Sequence, residues 1–138
     1  MKRELGQVLA IALPIGIAVL SQAPSAHAEA ACSDVTLHGN YAYSADGYAP
    51  PPFTPIAEAG TYVFDGSGHF STANTISVGG TIIPRTATGT YAVNVDCTGT
   101  ATVTGGVSFN FAITRAARSL RFVVSTPGVV VAGTMEKQ

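Results

Sequence analysis

The chain has 138 residues, a formal net charge of −1, and only 11% charged against 46% hydrophobic residues. This length corresponds to one domain of ordinary size. A chain so close to neutral lacks the basic excess that binds nucleic acids or anionic membranes, so we expect neither as a partner.

The first 28 residues are predicted to be a secretory signal peptide. Lys2 and Arg3 form a basic start, and residues 8–20 form an apolar run of 13 residues without charge. Small residues follow in the spacing of a cleavage site, and we predict cleavage after Ala28, with Ala30 as the alternative. A membrane-spanning helix needs about 20 apolar residues, so we do not expect this run to remain as an anchor.

Residues 29–138 form the predicted mature domain, with Cys32 near its start and Cys97 near its middle. In an exported chain two cysteines most simply form one disulfide. Such a bridge would enclose about 66 residues and stabilise the fold by about 4 kcal/mol in the loop-entropy treatment. The alternatives are two free thiols, or a metal site that needs His38 or His69 at unusual spacing. We predict the disulfide, with no metal and no cofactor.

After the signal, short segments with a period of two recur between tight turns, and no segment shows helical periodicity. In residues 37–44, Tyr41 and Tyr43 fall on one face, with Ala42 and Ser44 on the other. Turns such as residues 65–68 separate the segments, because glycine adopts positive φ without strain. The predicted strands are, in chain order, 37–44, 57–64, 69–78, 81–88, 89–95, 100–104, 107–114, 120–125 and 129–135.

Prolines interrupt this pattern at two places. Residues 46–55 contain four prolines, which predicts a loop, since proline cannot donate to a ladder. Pro84 lies inside residues 81–88, and for the same reason we predict an edge or a bulge there, in a weak strand separate from residues 89–95.

About eight or nine short strands with tight connections must pair antiparallel, because parallel pairs need long crossovers. One flat sheet would leave its apolar face exposed to solvent and the backbone groups of both edge strands unpaired. We therefore predict an all-β fold, an antiparallel up-and-down barrel of about eight short strands, with a Greek-key β-sandwich as the alternative. Most strands are too short for a membrane barrel and tryptophan is absent, so we expect no stable membrane insertion.

Several short motifs occur, once each, in a fixed order along the mature chain. They are Cys32, Thr36-Leu37-x-Gly39-x-Tyr41, Gly60-x-x-x-Phe64-Asp65-Gly66-x-Gly68, Gly89-Thr90-Tyr91-x-Val93-Asn94-x-Asp96-Cys97-Thr98-Gly99-Thr100, and Gly133-Thr134. With them the chain resembles a group of small exported bacterial β proteins, and its layout is similar to lipocalin-type and allene-oxide-cyclase-type barrels. The second resemblance implies a cupped apolar interior that can hold a small molecule. No cyclase motif is present, so it implies no catalytic residue.

The leading functional hypothesis is a non-enzymatic, secreted barrel that binds a small apolar ligand. The same aromatic side chains can instead fill a packed interior, as in other small barrels. The alternative is a structural or surface-interaction protein that uses the threonine-rich face of residues 98–104 and the proline-rich loop. The candidate ligand-lining residues are Tyr41, Tyr43, Tyr62, Phe64, Tyr91, Phe109, Phe111 and Phe122.

Glu58 is the one weak candidate for catalysis. By the period of two it shares a face with Tyr62 and Phe64, where a carboxylate in an apolar mouth would have a raised pKa. It would then act as acid or base in an isomerase or cyclase. The alternative is a strand that begins after Glu58 and leaves the side chain in water.

Other polar residues have simpler interpretations. His38 and His69 lack a third ligand at metal spacing, so we interpret them as surface or hydrogen-bonded histidines. Arg115, Arg118 and Arg121 surround one hairpin, where they can hold an anion or form a solvated turn.

Overall fold

The computed structural model describes residues 31–50, 52–114 and 116–138, so the predicted signal peptide, Pro51 and Arg115 lie outside the described residues. A 3-10 helix, Asp34–Thr36, precedes eight strands. These are β1 His38–Ala49, β2 Thr54–Asp65, β3 His69–Val78, β4 Thr81–Val93, β5 Thr98–Val103, β6 Ser108–Thr114, β7 Ser119–Val124 and β8 Val130–Lys137. Within this part of the chain no helix is long and apolar enough to cross a membrane.

Each strand pairs antiparallel with the next, and β8 pairs with β1 to close the barrel. Every connection is therefore short, as alternating polarity between tight turns predicts. The predicted all-β, up-and-down barrel is confirmed, and the sandwich alternative is wrong.

Two predicted boundaries were wrong. The loop predicted at residues 46–55 is shorter, because β1 and β2 continue their ladder until Ala49 lies opposite Thr54, which places Pro55 inside β2 and opposite Tyr48. The Pro55 carbonyl accepts a hydrogen bond from the Gly79 N–H at 2.8 Å. The backbone of Pro55 thus faces the end of β3. The paired residues of β2 and β3 begin only at Ile56, so the missing N–H of Pro55 removes no hydrogen bond from the ladder.

The segments predicted separately at residues 81–88 and 89–95 form one strand, β4. The Thr88 carbonyl accepts a hydrogen bond from the Thr104 N–H, so by alternation the even-numbered residues of β4 direct their backbone groups toward β5. Pro84 is one of them, but β5 pairs with β4 only over residues 89–93. The proline therefore sits on an open edge, which is one of the two predicted alternatives, and it does not end the strand.

Aromatic side chains fill the centre of the barrel. Tyr62 on β2 and Phe109 on β6 come from different walls, and their ring centroids are 6.1 Å apart. The Phe70 ring lies over Gly89 on the opposite strand, where an added Cβ would come within 2.3 Å of the ring. Phe111 and Phe122 cover Gly99 and Gly133 in the same way. Glycine makes room for the rings and lets the strands curve.

The N-terminal segment closes one end of the barrel. Leu37, fully buried, follows the 3-10 helix. The Tyr91 hydroxyl donates to the Leu37 carbonyl at 2.9 Å, and the Asp34 carboxylate accepts from the Val93 N–H at 2.8 Å. The Cys32–Cys97 disulfide ties this segment to the β4–β5 turn, which confirms the predicted bridge.

Candidate functional site

At the opposite end the barrel is open, and a cavity of about 170 Å³ lies inside its mouth. Inward-facing residues of β1 to β4 supply its polar wall, and the β5–β6 turn completes it. We call this space the mouth cavity. Its polar lining residues are Tyr43, Glu58, Tyr62, Thr72, Asn74, Arg85 and Thr86.

The structure places Glu58 inside the mouth and not in solvent, with its side chain only 15% exposed. Its Oε2 atom accepts a hydrogen bond from Arg85 Nη2 at 2.7 Å and another from Asn74 Nδ2 at 2.8 Å. Strand register creates this contact, because Asn74 lies opposite both Gly60 on β2 and Arg85 on β4. Burying a carboxylate is costly unless it is paired and hydrogen-bonded, and here the Arg85 cation and the Asn74 amide provide both interactions.

Burial raises the pKa of the Glu58 carboxyl group above its ordinary value. The positive charge of Arg85 and the contacts with Tyr43 and Asn74 oppose this shift without cancelling it. The carboxyl group is thus easier to protonate than an exposed glutamate, although an arginine lies beside it.

Tyr43 and Tyr62 form the aromatic wall of the cavity. Their ring centroids are 4.8 Å apart in an edge-to-face arrangement, which is a favoured geometry for aromatic pairs. Burial raises the pKa of both hydroxyl groups, and the negative charge of Glu58 raises it further, while Asn74 beside Tyr43 and Thr72 beside Tyr62 oppose the shift without cancelling it. Both tyrosines are therefore neutral at physiological pH.

Thr72 is the unusual residue of the site. It is 9% exposed, and among the described residues its Oγ1 atom is buried without a hydrogen-bond partner. Buried hydroxyl groups are nearly always paired, because leaving one unpaired costs about 1–3 kcal/mol. Thr72 lies opposite Tyr62 on the inward face of β3 and lines the mouth cavity. Its hydroxyl is near enough to the Tyr62 hydroxyl to lower the pKa of that group, but the two do not meet in hydrogen-bond geometry.

Of the eight candidate lining residues, two reach the mouth cavity, Tyr43 and Tyr62. The other six are buried in the aromatic core below it, and their role as ligand-lining residues remains a prediction. These six are Tyr41, Phe64, Tyr91, Phe109, Phe111 and Phe122.

Sequence reasoning missed Thr72, Asn74 and Arg85. For the two β3 residues a signal was available, since the period of two that buries Phe70 also turns Thr72 and Asn74 inward. Arg85 gave no such signal, because it lay in a segment weakened by Pro84. Strand register, which local sequence does not encode, brings it to Glu58.

The remaining candidates lie away from the mouth. His69 is exposed at the closed end, where its Nδ1 atom is 3.5 Å from Asp65 Oδ2. His38 begins β1 at that end and is exposed. Arg118 and Arg121 lie at or near the β6–β7 turn of the closed end, and Arg115 lies outside the described residues. Over the described ranges, no three His, Cys, Asp or Glu side chains group as metal ligands.

No family model matches this sequence, and no curated protein matches it. Among solved structures, the chain is similar to a de novo designed fluorescence-activating β-barrel, with a TM-score of 0.46 and 11% sequence identity. The match covers 73% of this chain and 93% of the designed chain.

Proposed function

We propose that this protein is an exported, non-enzymatic β-barrel that binds a small molecule in its mouth cavity. One observation carries the proposal: an unpaired, buried Thr72 hydroxyl and a largely buried Glu58 carboxylate line the same cavity at the open end. A barrel that served only as a scaffold would be more stable with apolar side chains at these two positions. The disulfide supports export, since such bridges persist in oxidising compartments.

The proposed ligand is partly polar and not wholly apolar. Rings fill the barrel centre, and the mouth cavity of about 170 Å³ is smaller than sites of roughly 300–1,000 Å³ that enclose a drug-sized ligand. A polar end of the ligand would enter the cavity. Its apolar remainder would lie on Ile56, Val78 and Ile83, which are inward-facing by alternation and only partly covered at the open end.

A second candidate function is an isomerase or cyclase that uses Glu58 as acid or base. Its inward position and raised pKa favour this role, as perturbed carboxyl groups cluster at active sites. It ranks second because Arg85 and Asn74 already occupy one carboxylate oxygen. Turnover of a bound compound that Glu58→Gln abolishes while binding persists would establish it.

The test is a binding screen on the processed, disulfide-bonded chain. Native mass spectrometry of protein from its own host reports any co-purified molecule. Amide NMR with a library of small ring compounds then reports which residues respond. We expect shifts at Thr72 and Asn74 on the mouth cavity, and none at the closed end.

Two matched variants localise the binding. Ala87→Leu places a larger side chain in the mouth cavity and should abolish binding. Ala73→Leu makes the same change on the exposed outer face of β3 and should preserve it. Equal binding by both variants would contradict the proposal. Shifts confined to the exposed threonines of β5, Thr98, Thr100 and Thr102, would instead favour the surface-interaction alternative.

A further inference from the structure

We infer that the mouth cavity takes an uncharged, six-membered ring that bears a hydroxyl group, a head group of the phenol type. The inference rests on the proposed function and adds to it the chemical class of the ligand. Three features of the cavity carry it: its size, its balance of charge and its unpaired hydroxyl.

The size of the cavity fits one ring. Its volume is about 170 Å³, and an engineered protein cavity of about 150 Å³ holds one benzene molecule. The edge-to-face pair of Tyr43 and Tyr62 presents ring surface to the occupant, and aromatic groups stack favourably on such surfaces. A fused two-ring group would need more room than the cavity has.

The charges of the cavity favour a neutral ligand. Among the described residues that line it, the formal charges are those of Glu58 and Arg85, which pair at 2.7 Å and cancel. A carboxylate ligand would have to face the Glu58 carboxylate. An ammonium ligand would have to displace Arg85 from Glu58 in order to pair with the carboxylate. Glu58 is largely buried, so breaking its existing ion pair would be costly.

The hydrogen-bonding groups favour a hydroxyl. Thr72 Oγ1 can donate one hydrogen bond and accept others, and it is unpaired among the described residues. The bonds from Asn74 and Arg85 both end on Glu58 Oε2, which leaves the carboxylate with capacity to accept. A phenolic hydroxyl both donates and accepts, whereas a hydrocarbon ring would leave Thr72 unpaired.

The experiment compares four probes of one ring each: phenol, toluene, benzoate and benzylammonium. Each is titrated into the processed chain at pH 7, and the amide shifts of Thr72 and Asn74 give the dissociation constant. We expect phenol to bind about tenfold more tightly than toluene, as one hydrogen bond predicts. Both ions should bind more weakly than phenol.

Two variants test the role of the hydroxyl. Thr72→Val keeps the side-chain shape and should weaken phenol binding about tenfold while leaving toluene binding unchanged or tighter. Thr75→Val is the control, since Thr75 is exposed on the outer face of the same strand, and both affinities should stay as they are.

The outcomes separate this inference from the proposed function. Toluene binding as tightly as phenol, either ion binding most tightly, or a preference for phenol that survives Thr72→Val would overturn the phenol assignment. Each of these outcomes would leave the mouth as a binding site. No response at the mouth to any probe or library compound would overturn both.

Discussion

Replacement of Thr72 by valine should stabilise this protein, although most substitutions of buried residues destabilise their hosts. The Thr72 hydroxyl is buried and unpaired among the described residues, and such a group costs about 1–3 kcal/mol of folding free energy. Valine has nearly the same shape and replaces the hydroxyl by a methyl group. We therefore expect the free energy of unfolding to rise by about 1–2 kcal/mol.

Urea unfolding of the disulfide-bonded, ligand-free chain, followed by circular dichroism, measures this change. Two further variants separate polarity from packing. Thr72→Ser keeps the hydroxyl and loses one buried methyl group, so it should destabilise the fold by about 1 kcal/mol. Thr75→Val on the exposed face of β3 should change stability by no more than about 0.5 kcal/mol.

A loss of about 1 kcal/mol in Thr72→Val would refute this reasoning, because a paired hydroxyl gives that result. Thr72 would then have no free hydrogen-bonding capacity for a polar ligand to use. A gain in stability together with weaker phenol binding would instead show that the site is maintained at the expense of stability.

Three further predictions concern the disulfide and two carboxyl groups. Replacing both Cys32 and Cys97 by alanine should lower the free energy of unfolding by about 2–5 kcal/mol in urea titrations; an unchanged midpoint would contradict this. The pKa of Glu58 is raised from 4.5, so the stability of the native protein relative to Glu58→Gln should fall as pH rises through the raised pKa, and a pH-independent difference would exclude this. The pKa of Asp65 is lowered to about 2 by hydrogen bonds from backbone N–H groups. The stability that Asp65 adds relative to Asp65→Asn should therefore be complete well above pH 3.8 and be lost as pH falls through about 2, and a difference as large at pH 2 as at neutral pH would count against it.

The inward face of each strand could be predicted from alternation alone. The disulfide could be predicted from the presence of two cysteines in a chain with an export signal. Tyr41 and Tyr43 are buried, whereas Ser44 between the inward positions is exposed. The reason is local: a strand turns successive side chains to opposite sides, so one face must be apolar. The edge position of Pro84 followed from the same kind of reasoning, since a missing N–H is tolerated where no neighbour needs it.

Local pattern could not predict whether the barrel is hollow or filled. That depends on whether side chains from facing walls meet across the interior, as those of Tyr62 and Phe109 do. The lengths of β1 and β4 were also decided by their neighbours, because ladder pairing carried both strands past positions where the sequence suggested a break.

From its own sequence the chain determines its strands, its buried faces and its covalent bridge, because each depends on residues close in the chain or on a single pair. Only the tertiary structure decided the mouth cavity. Glu58 meets Arg85, 27 residues later, and Thr72 remains unpaired near them. The registers of β2, β3 and β4 make these contacts, and register depends on how whole strands pair and not on any local run of residues.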